Sequence, residues 1–227
     1  MSITNCNITN FDWIKYESIG FPSNNIASLC LFRDSVVRPS LNALDFEIER
    51  LQGSANPAAN SFADDYAEIF QTTVEGYLIT VQSMWERSLR SMLILRGKEL
   101  GQDANLKKIE RATWEILQDH FQRLMGVSLQ EFRSYLDLDF LQTLANAIRH
   151  GDGPSARKLH QLRPDLWFNW IASSQKIEAG SFQIIASLDG PEAPSFNSIT
   201  LSESMLEQII ESVICFWADV ENIIRKN

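Results

Sequence analysis

The sequence predicts an all-α fold, an antiparallel helical bundle with a small β-hairpin or irregular insertion at about residues 174–201, before the last helix. Three observations carry this. Apolar and aromatic residues recur at three- and four-residue steps through Ser61–Arg96 with no proline between them. A second long stripe, Leu206, Ile209, Ile210, Val213, Trp217, Val220 and Ile224, runs close to a heptad seam near the carboxyl end. Strand-like runs are confined to Phe182–Ser187 and Ser198–Leu201, separated by Gly190, Pro191 and Pro194, and these could form the hairpin.

The elements follow in order. Residues 1–34 read as an arm packed on the rest through Phe11, Trp13, Ile14 and Phe21, ahead of one helical domain over residues 35–227. A first helix is predicted over Ser35–Gln52, with Pro39 near its start, where proline is tolerated. Gly53–Asn60 is a loop. The segment Ser61–Arg96 then forms a rod of roughly 50 Å. Its inner stripe is Phe62, Tyr66, Ile69, Phe70, Thr73, Tyr77, Val81, Met84, Trp85, Ser88 and Met92, and Gly97 closes it. A third helix is expected over Ala104–Met125, with Asp103 as its cap, an inner stripe of Leu106, Ile109, Ile116, Leu117, Phe121 and Leu124, and Gly126 as its stop. Ser128 and Glu131 make a capping box for a fourth segment, bent near Asp137–Asp139 and ending at Gly151-Asp152-Gly153-Pro154. Two short helices, Ser155–Leu162 and Pro164–Ser173, precede the insertion, and the last helix starts near Ser202 or Ser204.

Composition narrows the function. A chain of 227 residues with 44% hydrophobic and 22% charged residues can bury a core without staples. The net charge of −9 argues against a surface that coats nucleic acid at large, though a local basic stripe could still hold one. Cys6, Cys30 and Cys215 are widely spaced, which suits neither a disulfide framework nor a zinc knuckle and fits a reducing cytoplasm. No apolar run reaches the roughly 18 to 20 residues of a membrane span. Met1–Trp13 has neither a basic residue nor an apolar core, so a secretory signal is not expected. The three histidines fall in neither H-x-x-x-H nor H-E-x-x-H, so no metal site is expected, and no phosphate-cradling glycine loop occurs, so no cofactor is expected.

One stretch stands apart: Leu144-Ala-Asn-Ala-Ile-Arg-His-Gly-Asp-Gly153. On a helix, Asn146, Arg149 and His150 share one side, with Phe140, Leu141, Leu144 and Ile148 on the other. His150 sits in the last turn, where the free carbonyls favour a cationic imidazole. An imidazole beside a fixed guanidinium suits proton transfer at a phosphate ester. Downstream lie Arg157, Lys158, His160 and Arg163, and from Ala145 to Arg163 four Lys and Arg residues face one acid, Asp152. That local inversion of charge would attract a polyanion. The same residues also fit a plain structural role, with Asn146 and His150 capping the helix and the basic residues paired to acids elsewhere.

The long helix carrying Val81-Gln-Ser-Met-Trp-Glu-Arg87 and the later helix ending in Asn146-Ala-Ile-Arg-His-Gly151 resemble the HEPN superfamily of helical nucleotide-binding domains, over roughly Ser61–Trp170 plus the final helix. The resemblance implies a helical bundle that pairs into a homodimer around a shared cleft. It further implies a metal-independent endoribonuclease of a toxin–antitoxin or phage-defence system, with RNA as substrate and an antitoxin or another protein as partner. Matched position by position, the polar residue of the superfamily motif falls on Asn146 and its histidine on His150, while its arginine falls on Ala145. Arg149, one turn beyond Ala145, could bring a guanidinium into the same space. In that reading His150 moves the proton, Arg149 stabilises the phosphorane charge, Asn146 orients the phosphate, and Arg157, Lys158, His160 and Arg163 hold the RNA. The alternative is a non-catalytic HEPN-like module for binding or assembly with nucleotide, RNA or a partner protein, which the loss of the arginine favours.

Overall fold

The computed structural model describes residues 20–56, 58–102, 106–167, 176–179, 182–185 and 194–226. These are mostly helical. The first helix is α1, Gly20–Phe32, so residues 20–32 of the predicted arm are regular structure, with Leu29 buried in the core and Phe21 packed against it. Phe11, Trp13 and Ile14 lie outside the described residues. The chain passes from α1 through one wide turn, Arg33–Val37, straight into α2, Arg38–Gln52. Pro39 explains the widened turn. It has no N–H to give to the carbonyl four residues back, and its ring crowds that carbonyl, so the helix loosens instead of continuing tightly.

A reversal at Gly53–Asn56 leads into α3, Ala58–Glu99, which packs along α2. In its first turns the inward residues are Ala59 and Ala63, which close on Leu51 with Tyr66 beside them. Phe62 and Ile69, expected in the inner stripe, are exposed, because the small alanines let α2 approach on a neighbouring face. Further on the stripe is Val74, Leu78, Val81, Trp85, Leu89 and Met92, all fully buried. Gly97 does not end the helix. It lies inside it, and a Cβ there would come within 2.9 Å of Leu106, so glycine is what lets the next segment lie against α3. Gly101, at φ 66°, makes the stop.

The predicted third helix is two: α4, Leu106–Glu110, and α5, Trp114–Met125. Asp103 lies outside the described residues. The break has a cause on α3, where the Arg90 guanidinium donates to the carbonyls of both Ile109 and Ala112 and so completes the end of α4 in place of a continuing helix. The changed phase turns Ile116 outward while Leu117, Phe121 and Leu124 stay buried. Gly126, at φ 75°, ends α5 as predicted. The Ser128–Glu131 capping box forms on a short 3₁₀ turn, Leu129–Glu131. The chain then bends at Phe132–Ser134 rather than at Asp137–Asp139, and α6, Tyr135–His150, runs unbroken to Gly151.

Next come α7, Pro154–Leu162, and a 3₁₀ turn, Pro164–Trp167. The remainder of the predicted helix to Ser173 lies outside the described residues. Lys176–Ala179 (β1) pairs antiparallel with Phe182–Ile185 (β2), in register Ala179 to Phe182. The hairpin predicted between Phe182–Ser187 and Ser198–Leu201 does not form, since Phe196–Ser198 is a 3₁₀ turn. Two residues separate β1 from β2 in sequence, the commonest spacing of a hairpin. The final helix, α8, spans Glu203–Lys226.

Helix α3 is the axis, touched by α1, α2, α4, α5, α6 and α8. Around its midpoint an aromatic cluster joins three helices and the bend. Trp85 of α3 meets Trp114 and Phe216 edge-on, and Phe216 also contacts Phe121, Phe132 and Trp217. Trp85 and Trp217 are fully buried. Truncating either to alanine is expected to lower unfolding free energy by about 3 to 5 kcal/mol in denaturant titration. Arg90→Ala, which strips the donors from two carbonyls and from Glu86, is expected to cost about 2 to 3 kcal/mol. A loss below about 0.5 kcal/mol would contradict the role given to Arg90.

Candidate functional site: the end of α6 and its seam with α3

Helix α6 carries Asp139, Gln142, Asn146 and Arg149 at steps of three and four, so they form one polar stripe. Arg149 is exposed and Asn146 half-buried, whereas Gln142 is buried. The stripe lies against α3, whose own polar residues Gln82, Glu86 and Arg90 repeat every four residues. Gln82 and Gln142 are buried at 3% and 4% exposure, and they bond to each other at 3.1 Å. Both amides also donate to Glu86 Oε2, Gln142 at 2.7 Å. Glu86 Oε1 accepts from Arg90, which reaches onward to the α4–α5 break. Trp114 Nε1 donates to Asp139 at 2.7 Å and closes the other end of the stripe.

The carboxylate at the centre is held ionised. Burial pushes Glu86 up, but hydrogen bonds from Gln142 and Arg90, the charge of Arg90 and the amide of Gln82 outweigh it and hold the group below its ordinary value of 4.5. A half-buried carboxylate gains from this many donors, because each lone pair that faces the protein and stays unpaired is costly.

Arg149 joins the same seam. Its guanidinium donates to Gln82 Oε1 and lies 3.4 Å from Ser83 Oγ on α3, with Asn146 Oδ1 at 3.5 Å. Of the three residues placed on the catalytic face, Arg149 and Asn146 are therefore together, and Arg149 is drawn toward α3. His150 is exposed, with no hydrogen-bond partner among the described residues. Gly151, at φ 63°, ends the helix there by donating to the Ala147 carbonyl at 2.8 Å. Ala145, where the superfamily motif has arginine, is fully buried. The wheel that puts Asn146 outward necessarily puts its neighbour inward, and a guanidinium at that position would enter the core.

The basic stretch downstream is largely paired. Arg163 bonds Asp165 at 2.8 Å and stacks its guanidinium 5.4 Å from the Phe140 ring centre. Lys158 Nζ lies 3.8 Å from Asp139. His160 packs edge-on against Trp167, itself anchored by donating to the Ser195 carbonyl at 2.9 Å. Arg157 is exposed, with no ion pair among the described residues. Asp152, the one acid of the stretch, is committed to the Ser195 hydroxyl and the Phe196 N–H, which ties the α6–α7 turn to the segment before α8. Among the described residues around the end of α6, Arg157 and the outer part of Lys158 stay open, with the His150 ring exposed beside them.

Gln82, Ser83, Glu86 and Arg90 are the residues the motif search overlooks. Their signal is a polar stripe at i, i+4, i+8 beside the fully buried Trp85 and Leu89 in the longest helix, which a solvated face would not have needed. Among the described residues no cluster of His, Cys, Asp and Glu could hold a metal ion, and no described helix is long and apolar enough to cross a membrane. No protein family, curated protein or solved structure matches the chain.

The seam has a pH signature. Because the folded state holds Glu86 below 4.5, the unfolded chain takes up that proton first on acidification. The stability Glu86 contributes is present above about pH 4.5 and is lost as pH falls through the lowered folded value. Urea titrations between pH 6 and pH 3 are expected to show wild type losing more stability than Glu86→Gln. Equal losses in the two proteins would contradict the seam.

Proposed function

We propose that the chain is a HEPN-like helical module that engages RNA at the carboxyl end of α6 and binds it without cutting it. The observation that carries the preference for binding is the Arg149 guanidinium, which is committed to Gln82, Ser83 and Asn146. In-line cleavage needs a charge free to follow the developing phosphorane and a base fixed beside the attacking hydroxyl. Here the guanidinium is occupied, the motif arginine is a buried alanine, and His150 has no group among the described residues to orient its ring. Exposed Arg157 and Lys158, with His150 beside them, still offer a cationic rim to phosphate oxygens, which contact by charge alone and require no such precision. As a homodimer this rim would double, which suits the usual two-fold association. The setting would be cytoplasmic, with an antitoxin-like or defence partner.

A second reading, metal-independent cleavage, draws on the placement of Asn146, Arg149 and His150 at one helix end. Incubation of pure protein with mixed RNA in EDTA, alongside anisotropy titrations over a range of salt, separates the two. The binding reading expects a salt-dependent affinity, no cleavage, and a salt slope lowered by about one unit in Arg157→Ala. Cleavage by wild type that is lost in His150→Ala establishes the second reading. Absence of both binding and cleavage ends both. His150→Ala is expected to hold stability within about 0.5 kcal/mol, as an exposed side chain, and sedimentation at tens of micromolar is expected to show a dimer.

A further inference from the structure

A second feature lies at the far end of the α3 seam, where α4 meets α5. A groove of about 680 Å³ opens there, lined by Lys107, Lys108, Arg111, Ile116 and His120 around the buried Ala112, with Glu110 as the one acid among the described lining residues. Its size is in the range of small-molecule sites, roughly 300 to 1,000 Å³. We propose that this groove binds a small organic anion, one that joins a phosphate or carboxylate head to an apolar body.

The charge is the first support. Lys107, Lys108 and Arg111 fall within five consecutive residues of a chain whose net charge is −9, and none forms an ion pair among the described residues. Several other arginines are matched to acids, as Arg33, Arg38, Arg90 and Arg163 are. Three like charges crowded on one turn repel each other, and an anion set among them relieves that repulsion.

The groove also has a fixed polar floor. Arg123 donates to His120 Nδ1, which leaves the ring proton on Nε2 with no partner among the described residues. His120 is only 5% exposed. Burial and the charge of Arg123 push this imidazole below its ordinary value, against Asp119 and with a smaller push from Lys108, which favours the neutral ring. A neutral donor there adds a hydrogen bond to an anionic head. Beside it, Ile116 leaves nearly half of its side chain open at 47% exposure, the apolar surface that an inorganic ion would not use. The wall is preorganised, because Arg90 pins the carbonyls of Ile109 and Ala112 on either side of Arg111. The groove is separate from the end of α6 and does not depend on RNA engagement.

The test is a nitrogen-15 NMR titration of the full chain with phenyl phosphate, benzoate, phenol and inorganic phosphate. Saturable shifts of the Arg111, Ala112 and Ile116 amides are expected with phenyl phosphate or benzoate, and the tighter of the two identifies the head group. Phenol and inorganic phosphate are each expected to bind at least about tenfold more weakly, and the Lys108→Ala, Arg111→Ala double variant to weaken the organic anion by about tenfold or more. Both substituted residues are exposed, so the variant keeps its fold, checked by an unchanged helical spectrum. No saturable shift up to about 10 mM, equal binding of phenol and phenyl phosphate, or undiminished binding by the double variant overturns the proposal.

Discussion

The structure depends on one half-buried carboxylate. Glu86 sits between α3 and α6 with donors from Gln82, Gln142 and Arg90, and those donors set the position of everything around it. Gln142 fixes the rotation of α6 on α3. Arg90 carries the constraint outward to the carbonyls that end α4. Gln82 turns its oxygen to Arg149 and so decides where the last guanidinium of α6 lies. A charge in such a place stabilises little by itself, since its desolvation offsets much of its pairing, but removing any one partner leaves the rest unsatisfied. The helices can therefore dock in one rotation and not in its neighbours, which apolar packing alone would permit.

The aromatic cluster supplies the complementary term. Trp85 and Trp217 flank Phe216 and bury large apolar area, yet neither indole N–H finds a partner among the described residues. Burial thus outweighs two unmade hydrogen bonds here, while on the other face of α3 no buried side-chain polar atom of the seam lacks a partner among the described residues. The same helix solves its two sides differently, and its position at the axis of the bundle follows from having both.

Most of the helices were legible because a 3.6-residue period leaves its mark in any stretch long enough to repeat it. α3 and α8 are seen within three residues of their true ends, and the glycines at 126 and 151 stop helices where their type suggests. The misses share a physical form: they are tertiary. Nothing local announces that Arg90 will cap α4, or that Gly97 is small for the sake of Leu106 rather than to end a helix. The same holds at the candidate site. The wheel correctly gathers Asn146, Arg149 and His150 at the end of α6, but it treats polar as exposed, and Gln142 and Thr143 on that side are buried. Phe140 and Asp139 are brought to Arg163 and Lys158 only by the α6–α7 turn, whereas Asp165 pairs with Arg163 from two residues away, a local contact the basic count passed over.

Whether Arg149 belongs to the seam or to an open face is the point on which the functional reading turns, and a double-mutant cycle measures it directly. Unfolding free energies of wild type, Arg149→Ala, Gln82→Ala and the double variant give the coupling between the two side chains. The seam predicts a favourable coupling of about 0.5 kcal/mol or more, well above the scatter of independent sites. Strict additivity would contradict it, and would leave the exposed Arg149 guanidinium uncommitted and free to meet a phosphate.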